Sequence, residues 1–470
     1  RTLRDPRSFV ASASGIKKFL GFRVKELSAS GGKKVLGFRV KELSASGVKK
    51  FLGFRVKELS ASGVKKSLGF RGLEVFSASG IKMCSHVNQR KLLMSAPAGD
   101  QPTIYKGLAG VVVDKTAVSK VVPETNSLTY RGYAVQDLAE HCSFEQVAYL
   151  LWHGELPNDV QLTDFSQKER ANRRLDRTAA SILVKIPDTC HPMDVVRTAI
   201  SFLGTEDAAE DDPSPAANLD KSLRMLAVLP TIVAADMRRR RGLEPIAPHH
   251  GLGYAENFLN MVFGKVPDPV IVKAFEKSMV LYAEHSFNAS TFAARVVTST
   301  QSDIYSAVTA AIGALKGSLH GGANEAVMHD MIDIDRPERA REWLGAKLDN
   351  KDKVMGFGHR VYKNGDSRVP TMRKALEDIS AHVGENKWLE IYAELEDEMR
   401  KRTGIKPNLD FPTGPAYFLM GFDIPAFTPI FVMSRITGWT AHIMEQAASN
   451  ALIRPLSAYD GPAQRPLAVR

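Results

Sequence analysis

Three short segments carry the residue types that acid–base chemistry needs. "GSLHGGANEA" (317–326) sets His320 before Gly321 and Gly322, and "KPNLDFPTG" (406–414) holds Asp410 between two prolines. "GFGHRVYKNGDSR" (356–368) places His359 after Gly356 and Gly358 and follows it with Arg360, Lys363 and Arg368. Glycines leave the backbone bare, so a ligand is expected to come close to it there. A carboxylate can remove a weakly acidic proton beside a carbonyl, and a neutral imidazole can donate a hydrogen bond to the oxygen that becomes negative. A second imidazole can polarise a carbonyl under attack, while arginines clamp a di-acid in bidentate geometry. The plainer reading is structural, because a lone histidine on an apolar face is usually core; two histidines beside glycines weaken it. The spacing fits no HExxH site and no cysteine pair assists, so no metal is expected. No GxSxG or cysteine-centred signature supports a covalent hydrolase. The segment "AIGALKG" (311–317) lies inside a helical pattern and is no dinucleotide fingerprint.

Helices must position these groups. In "CSFEQVAYLLWHGELP" Ser143 is an N-cap with Gln146 at the capping-box position, and Phe144, Val147, Ala148 and Leu151 form the apolar stripe that Gly154 ends. Val272, Phe275, Met279 and Tyr282 recur at three- and four-residue steps, which sets His285 at the end of an inward face. "SDIYSAVTAAIGALKG" predicts a helix from Ser302 to about Lys316, stopped by Gly317. "FTPIFVMSRITGWTAHIMEQ" predicts another, with Thr428 as cap and Pro429 at its first position. Alternating strands are scarce, so the class is all-α, with strands confined to a hairpin near residues 106–130. Glu206–Asn218 reads as a surface loop and Arg238–Arg241 as the basic end of a surface helix.

Charge is unevenly spread over the 470 residues. Residues 1–82 hold nineteen Lys and Arg against five Asp and Glu, and the remainder holds 44 against 47, a net of −3. The body therefore gives no electrostatic reason to expect nucleic acid, and no apolar run is long enough to predict a membrane helix. "SASGIKKFLGFRVKEL" begins at Ser12 and recurs at Ser28, Ser44 and Ser60. Such a basic, Ser/Gly-punctuated repeat could be a membrane-surface, nucleic-acid or targeting arm. The first methionine is Met83, and the reading preferred here is a segment translated ahead of the true start, without a fold of its own. Cys84, Cys142 and Cys190 show no CxxC spacing, which fits a reducing compartment.

From about Lys106 onward the chain resembles the citrate synthase family, which includes the 2-methylcitrate synthases. "TYRGY" (130–134), "AEHSFNASTF" (283–292), "GSLHGGANEA", "GFGHRVYKNGDSR", "PNLDF" (407–411), "SRITGWTAHIMEQ" (434–446) and "IRPLSAYDGP" (453–462) occur in the family's order. The resemblance implies an acyltransferase that condenses an acyl-CoA with oxaloacetate. By that likeness His320 hydrogen-bonds the thioester carbonyl, Asp410 takes the α-proton, and His359 serves the oxaloacetate carbonyl. His285, Arg368 and Arg435 are implied oxaloacetate ligands. Arg131 is a substrate-contact candidate, and Arg454 reaches the partner subunit's site in a homodimer. Lys353, Val354, Met355, Gly356 and Phe357 match the segment that holds coenzyme A. The implied architecture is a large helical domain, 100–319 and 418–470, with a smaller helical domain, 320–417, that closes over the cleft. No cofactor is implied, since acyl-CoA is a substrate. The segments "FTPIFVMSRITGWTAHIMEQ" and "HPMDVVRTAISFLG" look most like the propionyl-CoA enzymes, so 2-methylcitrate synthase is the first expectation and citrate synthase acting on acetyl-CoA the alternative. A non-catalytic binding protein on the same fold is disfavoured, because every catalytic position is filled. The expected location is the cytoplasm, or an organelle if residues 1–82 are a targeting segment.

Overall fold

The computed structural model describes residues 103–467, apart from 123 and 363, and the backbone of five strands between residues 23 and 82. Those strands, Arg23–Ser28, Lys34–Arg39, Phe51–Arg55, Glu74–Ser77 and Gly80–Lys82, pair antiparallel in chain order. They fall in the repeat segment that was expected to have no fold of its own. Residues 110–459 form one compact unit.

That unit is helical, as the periodicity predicted. Its axis is helix Phe427–Ala448, buried along nearly its whole length to Ile443. A helix buried on every face is the centre of a core, even where it carries polar groups. Helices Phe144–His153, Pro215–Arg240, Pro269–Tyr282, Ala289–Ser299 and Ile304–Leu315 pack around it. A second set, Ala323–Ile334, Pro337–Asp349, Val369–Val383, Lys387–Thr403 and Asp410–Leu419, packs on itself and meets the first where Val369–Val383 lies on Pro269–Tyr282. Among the described residues no helix is long and apolar enough to cross a membrane.

The expected hairpin is a three-stranded antiparallel sheet, Ser119–Val122, Ser127–Tyr130 and Tyr133–Ala134. Tyr130 ties it to the core: its buried hydroxyl lies 3.1 Å from the Val280 carbonyl and 2.9 Å from that of Glu284. Local signals gave correct boundaries where they were self-contained. Ser143 and Gln146 form the predicted reciprocal cap, and Gly154 ends the helix in the left-handed conformation. The basic run closes helix Pro215–Arg240, where Arg239 and Arg240 pair with Asp236.

Two helix starts differ from expectation. The helix predicted from Ser302 begins at Ile304, capped by Asp303, whose carboxylate reaches the Ser306 N–H at 2.8 Å. Thr428 does not cap the core helix. A 3-10 turn, Ile424–Ala426, leads directly into Phe427, and the Thr428 hydroxyl and N–H both go to the Glu325 carboxylate.

Candidate active site

Two loops fifty residues apart are laced together by backbone. Gly358 N–H donates to the Lys406 carbonyl at 2.9 Å, and Asn408 N–H to the Gly356 carbonyl at 2.9 Å. Asn408 Nδ2 adds a bond to the Gly358 carbonyl at 3.0 Å. This lacing brings the loop that carries His359 against the loop that carries Asp410. The protein itself also constrains the two glycines. Gly356 (φ 81°) and Gly358 (φ 78°) adopt left-handed backbone, and a Cβ on Gly356 would sit 2.6 Å from Val327 Cγ2 and 2.9 Å from Phe411. Backbone conformation at both positions, and packing at Gly356, favour glycine there whether or not a ligand is bound.

His359 Nδ1 accepts the N–H groups of Val361, at 3.1 Å, and Tyr362, at 3.3 Å. Nδ1 is therefore unprotonated and Nε2 carries the hydrogen. Burial, and next the charge of Arg368, push the ring down to about 4, so it is neutral at pH 7. It lies 4.9 Å from the His285 ring and 4.7 Å from that of Tyr362.

His320 follows the end of helix Ile304–Leu315 and turns to Ser290. Its Nε2 accepts the Ser290 N–H at 3.2 Å, with the Ser290 hydroxyl at 2.8 Å. Trp439 Nε1 donates to that same hydroxyl at 3.0 Å and fixes it. The backbone N–H can only donate, so the imidazole proton sits on Nδ1. Burial, then Arg435, lower this ring to about 3. Two neutral histidines thus present opposite nitrogens as donors, each held by the acceptor nitrogen on its far side.

Asp410 opens helix Asp410–Leu419. Tyr282, the last residue of its own helix, donates its hydroxyl to Asp410 Oδ1 at 2.6 Å. Burial raises the carboxyl to about 6, against the opposing hydrogen bond from Tyr282 and the charges of Arg368 and Arg435. Such a carboxylate is ionised at neutral pH yet more basic than an exposed aspartate.

The cations are placed by the protein itself. Asp366 grips Arg368 with two bonds, Nε to Oδ1 at 2.9 Å and Nη2 to Oδ2 at 2.7 Å, and also accepts the Leu409 N–H at 3.1 Å. Both residues are buried. Arg435 is buried too; its Nε donates to the Tyr282 carbonyl at 2.6 Å. His285 Nε2 is buried without a partner among the described residues. Burial, with Arg368, His359 and Arg435 nearby, holds that ring well below its ordinary value.

His285, His320, His359, Arg368, Asp410 and Arg435 are linked by electrostatic influence on one another, and the His285 and His359 rings lie 4.9 Å apart. Arg131 stands outside this set: its Nε and Nη2 both donate to the Leu151 carbonyl, at 3.1 and 2.7 Å. Arg454 is exposed on the extended segment after Ala448. Of the expected coenzyme A segment, Lys353 is exposed, Val354, Met355 and Phe357 are half-buried, and Gly356 is buried. Lys363 lies outside the described residues. Sequence reasoning passed over Asp366, Tyr282, Ser290 and Trp439. Asp366 was within reach, since it stands two residues before Arg368 in a quoted motif. The others depend on pairings across the fold.

Known proteins share this arrangement of sequence and fold. The family pattern "Citrate synthase, C-terminal domain" matches residues 107–456. A citrate synthase of Mycolicibacterium smegmatis is 73% identical over 375 residues, covering 80% of this chain and 100% of the relative. A 2-methylcitrate synthase of Mycobacterium tuberculosis is also 73% identical over 375 residues, covering 80% of this chain and 95% of the relative. The solved ternary complex of carboxymethyl coenzyme A and oxaloacetate with citrate synthase from Thermoplasma acidophilum superposes with a TM-score of 0.75 at 31% identity, covering 78% of this chain and 99% of that one.

Proposed function

Because the chain belongs to the citrate synthase family, we propose that it is a 2-methylcitrate synthase, condensing propionyl-CoA with oxaloacetate and water to 2-methylcitrate and CoA, and using acetyl-CoA as well to give citrate. The observation that carries this reading is the complementary tautomers: His320 with its hydrogen on Nδ1, His359 with its hydrogen on Nε2, and the Asp410 carboxylate held by Tyr282. A thioester α-proton is far less acidic than the conjugate acid of Asp410, so a free enolate is out of reach. Asp410 takes the proton while His320 Nδ1–H meets the carbonyl oxygen, and the charge never stands alone. The enol carbon then attacks the oxaloacetate ketone, whose oxygen takes the proton of His359 Nε2–H as the carbon–carbon bond forms and becomes the product's hydroxyl. Water cleaves the resulting thioester and releases CoA. His285 Nε2, Arg368 and Arg435 hold the oxaloacetate carboxylates. Lys353–Phe357 lies along the acyl-CoA.

Residues 320–417 act as a smaller domain that closes on 100–319 and 418–470 and excludes water. The enzyme works in the cytoplasm as a homodimer, and Arg454 completes the partner's site. Arg454→Ala is expected to raise KM for oxaloacetate and nearly silence the site. Mixing it one-to-one with a His320→Ala chain should restore about a quarter of the parental activity, because half of the random dimers then hold one intact site of two. Steady-state rates before and after subunit exchange measure this; no recovery would count against a shared site.

Thiol release with oxaloacetate and either acyl-CoA tests the reaction. The expected kcat/KM with propionyl-CoA equals or exceeds that with acetyl-CoA. One methylene in an apolar pocket is worth roughly 1–3 kcal/mol, so both substrates should turn over. A clear preference for acetyl-CoA would favour the citrate synthase reading, which the relative from Mycolicibacterium smegmatis supports. Silence with both would end the proposal.

A further inference from the structure

Beneath the oxaloacetate-binding groups runs a chain of buried charges that the reaction itself does not use. Glu284 precedes His285 and is fully buried. Its Oε1 accepts the Ser119 hydroxyl at 2.9 Å and faces His442 Nε2 at 2.8 Å. On the other side of that imidazole, Arg295 Nη1 lies 3.1 Å from His442 Nδ1 and 2.8 Å from Glu445 Oε2. Arginine can only donate, so His442 Nδ1 accepts and its Nε2–H is aimed at Glu284. The sequence is consistent with this: Arg435, Gly438 and His442, spaced three and four apart, share one face of helix Phe427–Ala448. A Cβ on Gly438 would strike the Glu284 carboxylate and the Ala283 carbonyl, so the helix bearing Arg435 rests directly on this acid. The second carboxylate oxygen, Oε2, is buried without a hydrogen bond among the described residues.

We propose that Glu284 is a positioning residue for oxaloacetate, which, held by His442 and Ser119, fixes the backbone of His285 and supplies the counter-charge beneath the helix face that bears Arg435. This deepens the reading of the site as one that binds oxaloacetate and rests on it. Burial penalises the charge of Arg435, and Glu284 is the largest influence that offsets this penalty. Conversely, His442 and Arg435 hold Glu284 ionised despite its burial. The Tyr130 hydroxyl accepts the Glu284 N–H at 3.2 Å and donates to the Glu284 carbonyl at 2.9 Å, so the residue is pinned by its main chain as well as by its side chain.

The test compares Glu284→Gln, which removes the charge and keeps the shape, with Glu284→Asp, which keeps the charge. Glu284→Gln should raise KM for oxaloacetate at least tenfold, while kcat at saturating oxaloacetate and KM for the acyl-CoA change less than threefold. Glu284→Asp should restore oxaloacetate KM to within about threefold of the parent. Equal behaviour of the two variants, or a common loss of kcat and of both affinities, would reduce Glu284 to a structural role and overturn the proposal. If Glu284→Gln does not fold by circular dichroism, Ser119→Ala decides: a rise of about threefold in oxaloacetate KM with kcat spared is expected, and no change overturns it. Failure of the unmodified chain to release thiol from either acyl-CoA would instead strike the functional reading, and direct calorimetry of oxaloacetate binding to parent and variants keeps the two questions apart.

Discussion

Asp410→Asn is expected to lower kcat about a thousandfold with either acyl-CoA while leaving the calorimetric Kd for oxaloacetate unchanged. General bases contribute about 10²–10⁴ in rate. The amide keeps an oxygen for the Tyr282 hydroxyl and leaves Arg368 and Arg435 untouched, so binding and chemistry should separate. In the parent the base must be ionised, and its carboxyl stands at about 6. Activity should therefore rise with pH through about 6 and level above it. Tyr282→Phe removes the hydrogen bond that favours the carboxylate, and so should move this limb to higher pH. The same shift has a stability signature. A carboxyl raised by burial destabilises the fold as pH climbs from the unfolded value near 4, with the full penalty present above about 6. The Asn variant should gain roughly 1–3 kcal/mol over the parent at pH 8, and that gain should vanish near pH 4. A variant that turns over within tenfold of the parent, or that loses oxaloacetate binding together with rate, would remove Asp410 from the role of base.

His320→Ala carries the second large effect: a loss of about 10²–10³ in kcat, the range expected when a donor to a developing oxyanion is deleted. Oxaloacetate affinity should hold, because the groups proposed to bind it come from other segments. The low-pH limb should stay where Asp410 sets it, since burial already keeps the His320 ring neutral down to about 3. If the limb moved or disappeared in the variant, the imidazole would be titrating in turnover, and the neutral-donor reading would have to be given up. Ser290 and Trp439 offer an internal check, because their hydrogen bonds place the proton on Nδ1 without touching the reacting atoms.

The amino-acid sequence by itself determined the helical class, several boundaries and which residues are proposed to react. Those features rest on interactions between near neighbours. The Ser143–Gln146 cap spans three residues, and the apolar stripe of Pro269–Tyr282 repeats within two turns. Family likeness, carried by short ordered motifs, added the expected role of each histidine and carboxylate. What only the tertiary structure decided were the proton positions and the charges. The tautomer of His320 is set by Ser290, thirty residues away. Asp410 depends on Tyr282 at a separation of 128 residues, and Glu284 on His442 at 158. Arg131, a substrate-contact candidate, has its side chain bonded to the Leu151 carbonyl; Thr428 looked like a cap and is bound to Glu325. A side chain's hydrogen-bonding partner and its loss of solvent are properties of what folds against it. Composition and spacing identify a group that can carry a proton, and the packing around it decides which atom carries it and at what pH.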